Sequence, residues 1–301
     1  MLGYVCKYTP MELFEAMDTE ITRLEPSVTD FNHADTLMHA NICSYTKAVL
    51  EDVMEHDYEG VILTTCCDSI RRLYDTLKSQ FPDKFFFLLD IPRKFNDFAV
   101  ALYERQLKQM LTEYEAFSGK TLDLKRFVSM MQNKAALKKQ ENTRMSSSAV
   151  SEKGNGQKLN IGIMGARCNN EIRQLLVDRG ANLLFDLTCT GLARDFSITE
   201  DQVLHSYAAA LLNQIPCMRM LKAANREHFL DGFTDRLDGI IYHTVKFCDS
   251  YSYEYADFRQ RLDLPILLVE TDSTRQCAGQ VRTVYPAAST VQRGTQTGNL
   301  I

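Results

Sequence analysis

The chain has 301 residues, 45% of them apolar, and 34 Lys and Arg against 39 Asp and Glu give a formal net charge of −5. This balance argues against nucleic-acid binding through a basic surface, and the length predicts two domains. No apolar run is long enough for a transmembrane helix, and the opening MLGYVCKYTP lacks the features of a signal peptide. We therefore expect a cytoplasmic chain that binds neither nucleic acid nor membrane.

Strands and helices alternate along the first part of the chain. Apolar runs and apolar periodicity predict strands over Gly3–Tyr8, Gly60–Thr65 and Phe85–Asp90, and helices over Asn41–Glu55, Asp68–Gln80 and Phe95–Phe117. A further helix follows the first strand, with Thr9 as its N-cap, Pro10 in its first turn and Glu12 as its capping-box carboxylate. These elements make up a predicted first domain over residues 1–132.

Residues 133–158 have the composition of a flexible linker. They contain no aromatic residue, six Lys or Arg against two Glu, and a run of Ser. Beyond them the alternation resumes, with strands predicted over Leu159–Gly165, Asn182–Leu187, Gly239–Val245 and Pro265–Glu270 and helices over Asn169–Arg179, Thr199–Leu212 and Tyr253–Leu262. The predicted second domain spans residues 159–283, and the polar residues 284–301 are expected to be disordered.

The alternation of helices with continuously apolar strands defines the fold class. It predicts parallel sheets covered on both faces, and hence two doubly wound α/β domains of flavodoxin-like or Rossmann-like type. Such sheets bind ligands at the carboxyl ends of their strands, so a cleft between the domains is the expected site. The run Gly162–Gly165 is interpreted either as a phosphate-binding loop or as a tight turn, and the sequence contains no P-loop motif.

Nine cysteines are the chemically distinctive residues of the sequence. In a reducing compartment they are core thiols, reactive thiols or metal ligands rather than disulfides. Cys67, Cys189 and Cys248 each follow a predicted strand, whereas Cys277 is expected to be an inert core thiol. The close C-x2-C pairs of zinc sites are absent, and widely spaced thiolates suit an iron–sulfur cluster. A cysteine hydrolase is the less favoured alternative.

Several segments together resemble the 2-hydroxyacyl-CoA dehydratase family, of the 2-hydroxyglutaryl-CoA dehydratase D-component type. They are GYVCKYTPMELFEAM, HANICSYTKAVLE, GVILTTCCDSIRRLYDTL, IGIMGARC, NLLFDLTCTGLARDF, HTVKFCDSYSYEYADFR and PILLVETDSTRQCAGQVRT, within residues 1–283. The resemblance implies two α/β domains with a [4Fe-4S] cluster between them, held by Cys43, Cys67 and Cys248. Cys67 is preferred to Cys66 because the family motif places its ligand directly before the Asp.

A second branch of the same family is also represented. CTGLARDF and IPCMRM are more similar to the double-cubane cluster proteins, which carry an [8Fe-9S] cluster. A second cubane needs further thiolates, for which Cys189 and Cys217 are the candidates. Cys6, Cys66 and Cys168 are equal candidates for a third ligand.

The resemblance also implies an activity and partners. It implies a hydro-lyase of anaerobic metabolism that uses one-electron, ketyl radical chemistry on an acyl-CoA and is driven by an ATP-hydrolysing iron–sulfur activator protein. The chain is expected to pair with a second copy of itself or with a paralogous subunit. Two alternatives stay open, a double-cubane reductase of small molecules and a non-catalytic or truncated partner subunit. The truncated-subunit alternative arises because the family has a final helix where this sequence has VYPAASTVQRGTQTGNLI. The tail is therefore expected to be disordered or aberrant.

Overall fold

A computed structural model of the chain describes residues 1–148, 159–168, 170–190, 198–214, 217–220 and 229–274. Cys277 and the tail predicted over 284–301 lie outside these ranges. The chain divides into two compact units, the first made of Met1–Glu25, Val53–Asn155 and Ala193–Ala223 and the second of Pro26–Asp52, Gly156–Leu192 and Ala224–Ile301.

Eighteen elements are named here in chain order. As far as the predicted linker they are β1 (Leu2–Tyr4), α1 (Met11–Ala16), β2 (Ile21–Arg23), α2 (Asn32–Leu37), α3 (Ser44–Glu55), β3 (Gly60–Thr64), α4 (Asp68–Gln80), β4 (Phe85–Leu89), α5 (Asp97–Ser118) and α6 (Leu124–Ser148). After it come β5 (Asn160–Gly165), α7 (Asn170–Asp178), β6 (Asn182–Thr188), α8 (Val203–Leu212), a 3-10 turn (Thr234–Arg236), β7 (Gly239–Val245), α9 (Asp249–Arg261) and β8 (Ile266–Thr271).

Each unit contains one four-stranded sheet. The strand order is β2-β1-β3-β4 in the first unit and β6-β5-β7-β8 in the second, and every strand pair among the described residues is parallel. Parallel neighbours require crossover connections, which explains why helices separate the strands along the chain. The prediction of two doubly wound α/β domains is confirmed.

Aromatic side chains dominate the core of the first unit. Phe14 and Tyr114 are fully buried and meet edge to face with ring centroids 5.0 Å apart. Tyr103, also fully buried, donates a hydrogen bond to the Tyr8 carbonyl at 2.5 Å. Tyr207 of α8 donates to the buried Glu12 carboxylate at 2.5 Å, so a polar contact fastens α8 to α1 within this core.

The second unit has an aliphatic core. Ile161 and Ile163 of β5 pack with Ile241 of β7 and with Ile172 and Leu176 of α7. The spacing of Ile172 and Leu176 explains this packing, since residues four apart lie on one helical face. Gly180 ends the segment after α7 with a left-handed φ of 76°, as predicted for a glycine just past a helix.

The run Gly162–Gly165 lies inside β5, so neither the phosphate-binding loop nor the tight turn is correct. A Cβ on Gly162 would lie 2.3 Å from the Phe185 ring, and one on Gly165 would lie 2.1 Å from the backbone oxygen of His243. Gly165 also has a φ of +105°, which disfavours any side chain. Both glycines therefore serve the close packing of β5 against its neighbours.

The structure also differs from the prediction in its helices. α6 includes residues 133–148 of the predicted linker, where Lys, Gln, Glu and Ala favour a helix. Pro10 rather than Thr9 is the N-cap of α1, and no side chain caps that helix. α2 and most of α3 belong to the second unit, and α8 belongs to the first. The strands of each unit are consecutive in the chain, whereas its helices are not.

Candidate thiol site

Cys43 and Cys248 come together in the second unit. Cys43 directly precedes α3, and Cys248 directly precedes α9. The backbone N–H and the hydroxyl of Ser44 both donate to the Lys246 carbonyl, at 3.1 and 3.0 Å. These two bonds join the starts of the two helical segments. The thiols of Cys43 and Cys248 also perturb each other's pKa.

A tight turn connects the end of β7 to Cys248. The N–H of Cys248 donates to the Val245 carbonyl at 2.8 Å, and Phe247 between them adopts a left-handed φ of 63°. A non-glycine residue in that region costs about 1–3 kcal/mol and persists only where the surrounding structure holds it. The surrounding contacts therefore hold this turn, and with it the position of the Cys248 thiol.

The two thiols shift in opposite directions, with the pKa of Cys43 lowered and that of Cys248 raised. The hydrogen bond from Cys248 lowers the pKa of Cys43 to about 7 against the opposing effect of burial, and the N–H groups of Thr46 and Tyr45 lower it further. The same contact with Cys43 raises the pKa of Cys248, as does burial. A thiolate is the form of cysteine that binds metals, so the pair has the chemistry of a soft-metal site.

Cys189 lies beside this pair. Its Sγ is 2.7 Å from the hydroxyl oxygen of Tyr251, and its charge contributes to the raised pKa of Cys248. The backbone of Tyr251 lowers the pKa of Cys248. One residue of α9 thus influences two cysteines, one through its backbone and one through its side chain. Sequence reasoning missed Tyr251, although its position three residues after Cys248 places both on one helical turn.

Three further thiols are neighbours in the first unit, namely those of Cys6, Cys66 and Cys217. Burial raises the pKa of Cys6 and of Cys217, and each feels the charge of a neighbouring thiol, Cys66 for Cys6 and Cys6 for Cys217. The N–H of Cys217 donates to the hydroxyl of Tyr8 at 3.4 Å. Cys6 and Cys66 follow β1 and β3, which are adjacent in the sheet, so strand adjacency could have predicted this pairing.

The remaining predicted residues have separate surroundings. Cys67 is the N-cap residue of α4 in the first unit, and its thiol raises the pKa of the neighbouring Cys66. Cys168 is fully buried in the core of the second unit, and its backbone bonds to Thr190. Cys189 and Cys217 belong to different units. The structure therefore places Cys43 with Cys248, and the inclusion of Cys67 in one ligand set stays a prediction.

Within the described ranges, no group of three or more His, Cys, Asp or Glu side chains is arranged to hold a metal ion. The Cys43–Cys248 pair supplies two sulfur donors, and Cys189 is a third sulfur close by. Sulfur donors of this kind fit an iron–sulfur cluster, which proteins hold through cysteine thiolates.

Two units with parallel sheets and thiols just beyond the strand ends define a doubly wound α/β protein. Proteins of this class bind ligands at the carboxyl ends of their strands. The family model of the 2-hydroxyglutaryl-CoA dehydratase D-component matches residues 6–144 and 128–284, and the chain belongs to this family. The resemblance drawn from the sequence motifs is thereby confirmed. No curated protein matches the chain. Of the helices that the structure describes, none combines the length and the apolar character needed to cross a membrane.

Proposed function

We propose that the chain is the cluster-bearing subunit of a 2-hydroxyacyl-CoA dehydratase-like hydro-lyase, and that Cys43, Cys67 and Cys248 hold a [4Fe-4S] cluster. The contact between the chain segments that bear Cys43 and Cys248 carries this proposal: Ser44 donates twice to the Lys246 carbonyl, and each thiol perturbs the pKa of the other. These residues are far apart in sequence and come from the starts of two different helical segments. Inert core cysteines have no need of such a contact, whereas two ligands of one cluster must lie close together.

The chain's own residues prepare the pair for an anionic sulfur group. The backbone N–H groups of Tyr45 and Thr46 lower the pKa of Cys43, and the backbone N–H of Tyr251 acts in the same direction on the pKa of Cys248. Amides at the start of a helix carry partial positive charge, which stabilises negative sulfur. The hydrogen bonds from Ser44 to the Lys246 carbonyl hold the two backbones in register, so the two sulfurs need little rearrangement to act together.

The cluster, when bound, supplies single-electron chemistry that a protein without a cofactor does not provide. In the proposed reaction one electron is added to the thioester carbonyl to give a ketyl radical, water is eliminated and the electron is recovered. A separate ATP-hydrolysing iron–sulfur activator delivers the electron, in keeping with the lack of a P-loop in this sequence. The chain acts with a second copy or with a paralogous subunit.

Anaerobic reconstitution with iron and sulfide tests this proposal. We expect the purified chain to bind about four iron atoms and Cys248→Ser to lose most of them. Cys168→Ala is the matched control, because Cys168 belongs to the same unit but is buried in its core. Full iron content in Cys248→Ser would refute the assignment. A wild-type chain that binds no iron would instead favour a non-catalytic partner subunit.

The thiols of the first unit favour a second candidate, a double-cubane reductase. Cys6 lies near both Cys66 and Cys217, and these thiols supply further sulfur donors, which a single cubane does not need. This reading predicts about eight iron atoms in each chain. It also predicts that Cys217→Ala lowers the iron content, whereas the single-cubane reading predicts no change.

A further inference from the structure

Three polar groups of the first unit can donate hydrogen bonds but have no acceptor among the described residues. The Oγ1 hydroxyl of Thr64 and the Nε of Arg219 are buried and have no hydrogen-bond partner there. The hydroxyl of Tyr8 accepts from the N–H of Cys217 at 3.4 Å, and no acceptor for its own hydrogen lies within the described ranges. Because buried polar groups in folded proteins are nearly always hydrogen-bonded, three such donors in one unit require an explanation.

The three groups lie at the carboxyl edge of the first sheet. Thr64 is the last residue of β3 and pairs with Leu89, the last residue of β4. The Nη2 of Arg219 donates at 2.9 Å to the carbonyl of Ile91, two residues beyond β4. Tyr8 follows β1, which is the other neighbour of β3 in the sheet. Doubly wound sheets bind their ligands at this edge.

The guanidinium of Arg219 has no carboxylate partner among the described residues. Its neighbours there are the Ile91 carbonyl and, at 3.9 Å, the sulfur of Met220. Burial raises the pKa of Tyr8 and of Cys6, and in both cases the positive charge of Arg219 acts against that rise. A partly buried cation without a counter-ion is costly, so this edge of the sheet favours a negatively charged ligand.

We propose that the carboxyl edge of the first sheet binds the carboxylate group of a small organic anion. Arg219 supplies the positive charge and one hydrogen bond through Nε, and the hydroxyls of Tyr8 and Thr64 supply two more. Hydrogen bonds to an ionised acceptor are stronger than bonds between neutral groups. The ammonium group of Lys7, 5.3 Å from the centroid of the Tyr8 ring, adds to the positive potential. Arg219 and Cys217 keep part of their surface exposed, so a ligand can enter from solvent.

Two other occupants compete with a carboxylate. Three donors satisfy the two oxygens of a carboxylate, but they leave further oxygens of a phosphate or sulfate without a donor. An iron–sulfur cluster held by the neighbouring thiols of Cys6, Cys66 and Cys217 is the second competitor, since its sulfides would accept the same hydrogen bonds. The inference does not rest on the proposed function, because it concerns the chain without metal.

The test measures anion binding to the full-length, reduced, metal-free chain by isothermal titration calorimetry and by thermal unfolding. Acetate is the probe, and chloride at equal ionic strength is the reference. We expect acetate to bind saturably and to raise the Tm, because it binds only the folded chain. Arg219→Gln should weaken acetate binding by more than about tenfold, and Tyr8→Phe and Thr64→Val should each weaken it by about tenfold. Arg72→Gln, which removes an exposed cation of the same unit, should leave it unchanged.

Every outcome of these measurements decides the inference. Absence of saturable acetate binding to the wild-type chain overturns it, as does equal affinity in Arg219→Gln. Tighter binding of sulfate or phosphate than of acetate overturns the choice of a carboxylate. If the variants keep their acetate affinity but lose iron on reconstitution, the three donors serve a cluster and the inference is wrong.

The remaining comparisons keep the test independent of folding defects and of the proposed function. If Arg219→Gln does not fold, Tyr8→Phe and Thr64→Val decide the same question, because both retain the charge and remove only a hydroxyl. A wild-type chain that binds acetate but no iron would refute the proposed function and support the carboxylate site. A chain that binds iron but no acetate would do the reverse.

Discussion

Protonation of His243 should destabilise the second unit as the pH falls below neutrality. His243 is 2% exposed on β7, and its Nε2 lies 3.0 Å from the hydroxyl oxygen of Thr271. Its Nδ1 has no hydrogen-bond partner among the described residues. Burial lowers the pKa of His243 from 6.5 to about 4, because an imidazolium in this core would lose its hydration. The folded chain therefore keeps this ring neutral where an unfolded chain would protonate it.

The direction and size of the effect follow from these two pKa values. The unfolded chain takes up the proton first as the pH falls, so the stability is complete above about pH 6.5 and is lost progressively towards pH 4. Between pH 7.5 and pH 5 the loss amounts to about 2 kcal/mol of unfolding free energy. Guanidinium unfolding of the reduced, metal-free chain, followed by circular dichroism at both pH values, measures it.

The matched comparison replaces the imidazole with a group that does not titrate. His243→Gln should reduce the difference in unfolding free energy between the two pH values by about 2 kcal/mol, whatever its effect on absolute stability. His39→Gln, at an exposed position, should leave that difference close to the wild-type value. An unchanged pH dependence in His243→Gln would show that the ring is not the responsible group.

Three more substitutions test the packing of the separate units. Gly165→Ala should cost more than about 2 kcal/mol of unfolding free energy, because its Cβ would lie 2.1 Å from the His243 carbonyl oxygen, whereas Gly180→Ala, with an open surrounding, should cost about 1–2 kcal/mol. Equal costs in thermal or denaturant unfolding would contradict this. Tyr207→Phe should cost about 1–3 kcal/mol because it removes a donor from the buried Glu12 carboxylate, and a neutral result would show that this contact does not stabilise α8.

Most of the fold could be predicted because its strands carry strong local signals. The continuous apolar runs of β3, β4 and β7 predict parallel strands in either half, and the bounds of α4 and β7 agree residue for residue with the prediction. β2, with three residues, is too short to show a period. The allocation of α2 and α8 to the two units depends on long-range packing, which local periodicity does not carry.

The candidate site was less accessible to sequence reasoning. Only the family resemblance relates Cys43 to Cys248, since neither spacing nor composition connects residues so far apart. Cys6 and Cys66 follow adjacent parallel strands, so their proximity could have been predicted from the order of the sheet. The contact of Tyr251 with Cys189 depends on where α9 packs after the turn at Phe247, and no sequence motif predicts it.

The central proposal is that Cys43, Cys67 and Cys248 hold one cluster. Alkylation of individual cysteines, quantified by mass spectrometry in the metal-free and the iron-loaded reduced chain, tests it most directly. We predict that Cys43, Cys67 and Cys248 lose their reactivity together as iron is taken up, and that chelation restores all three. Continued alkylation of Cys67 in the fully loaded chain would contradict the claim.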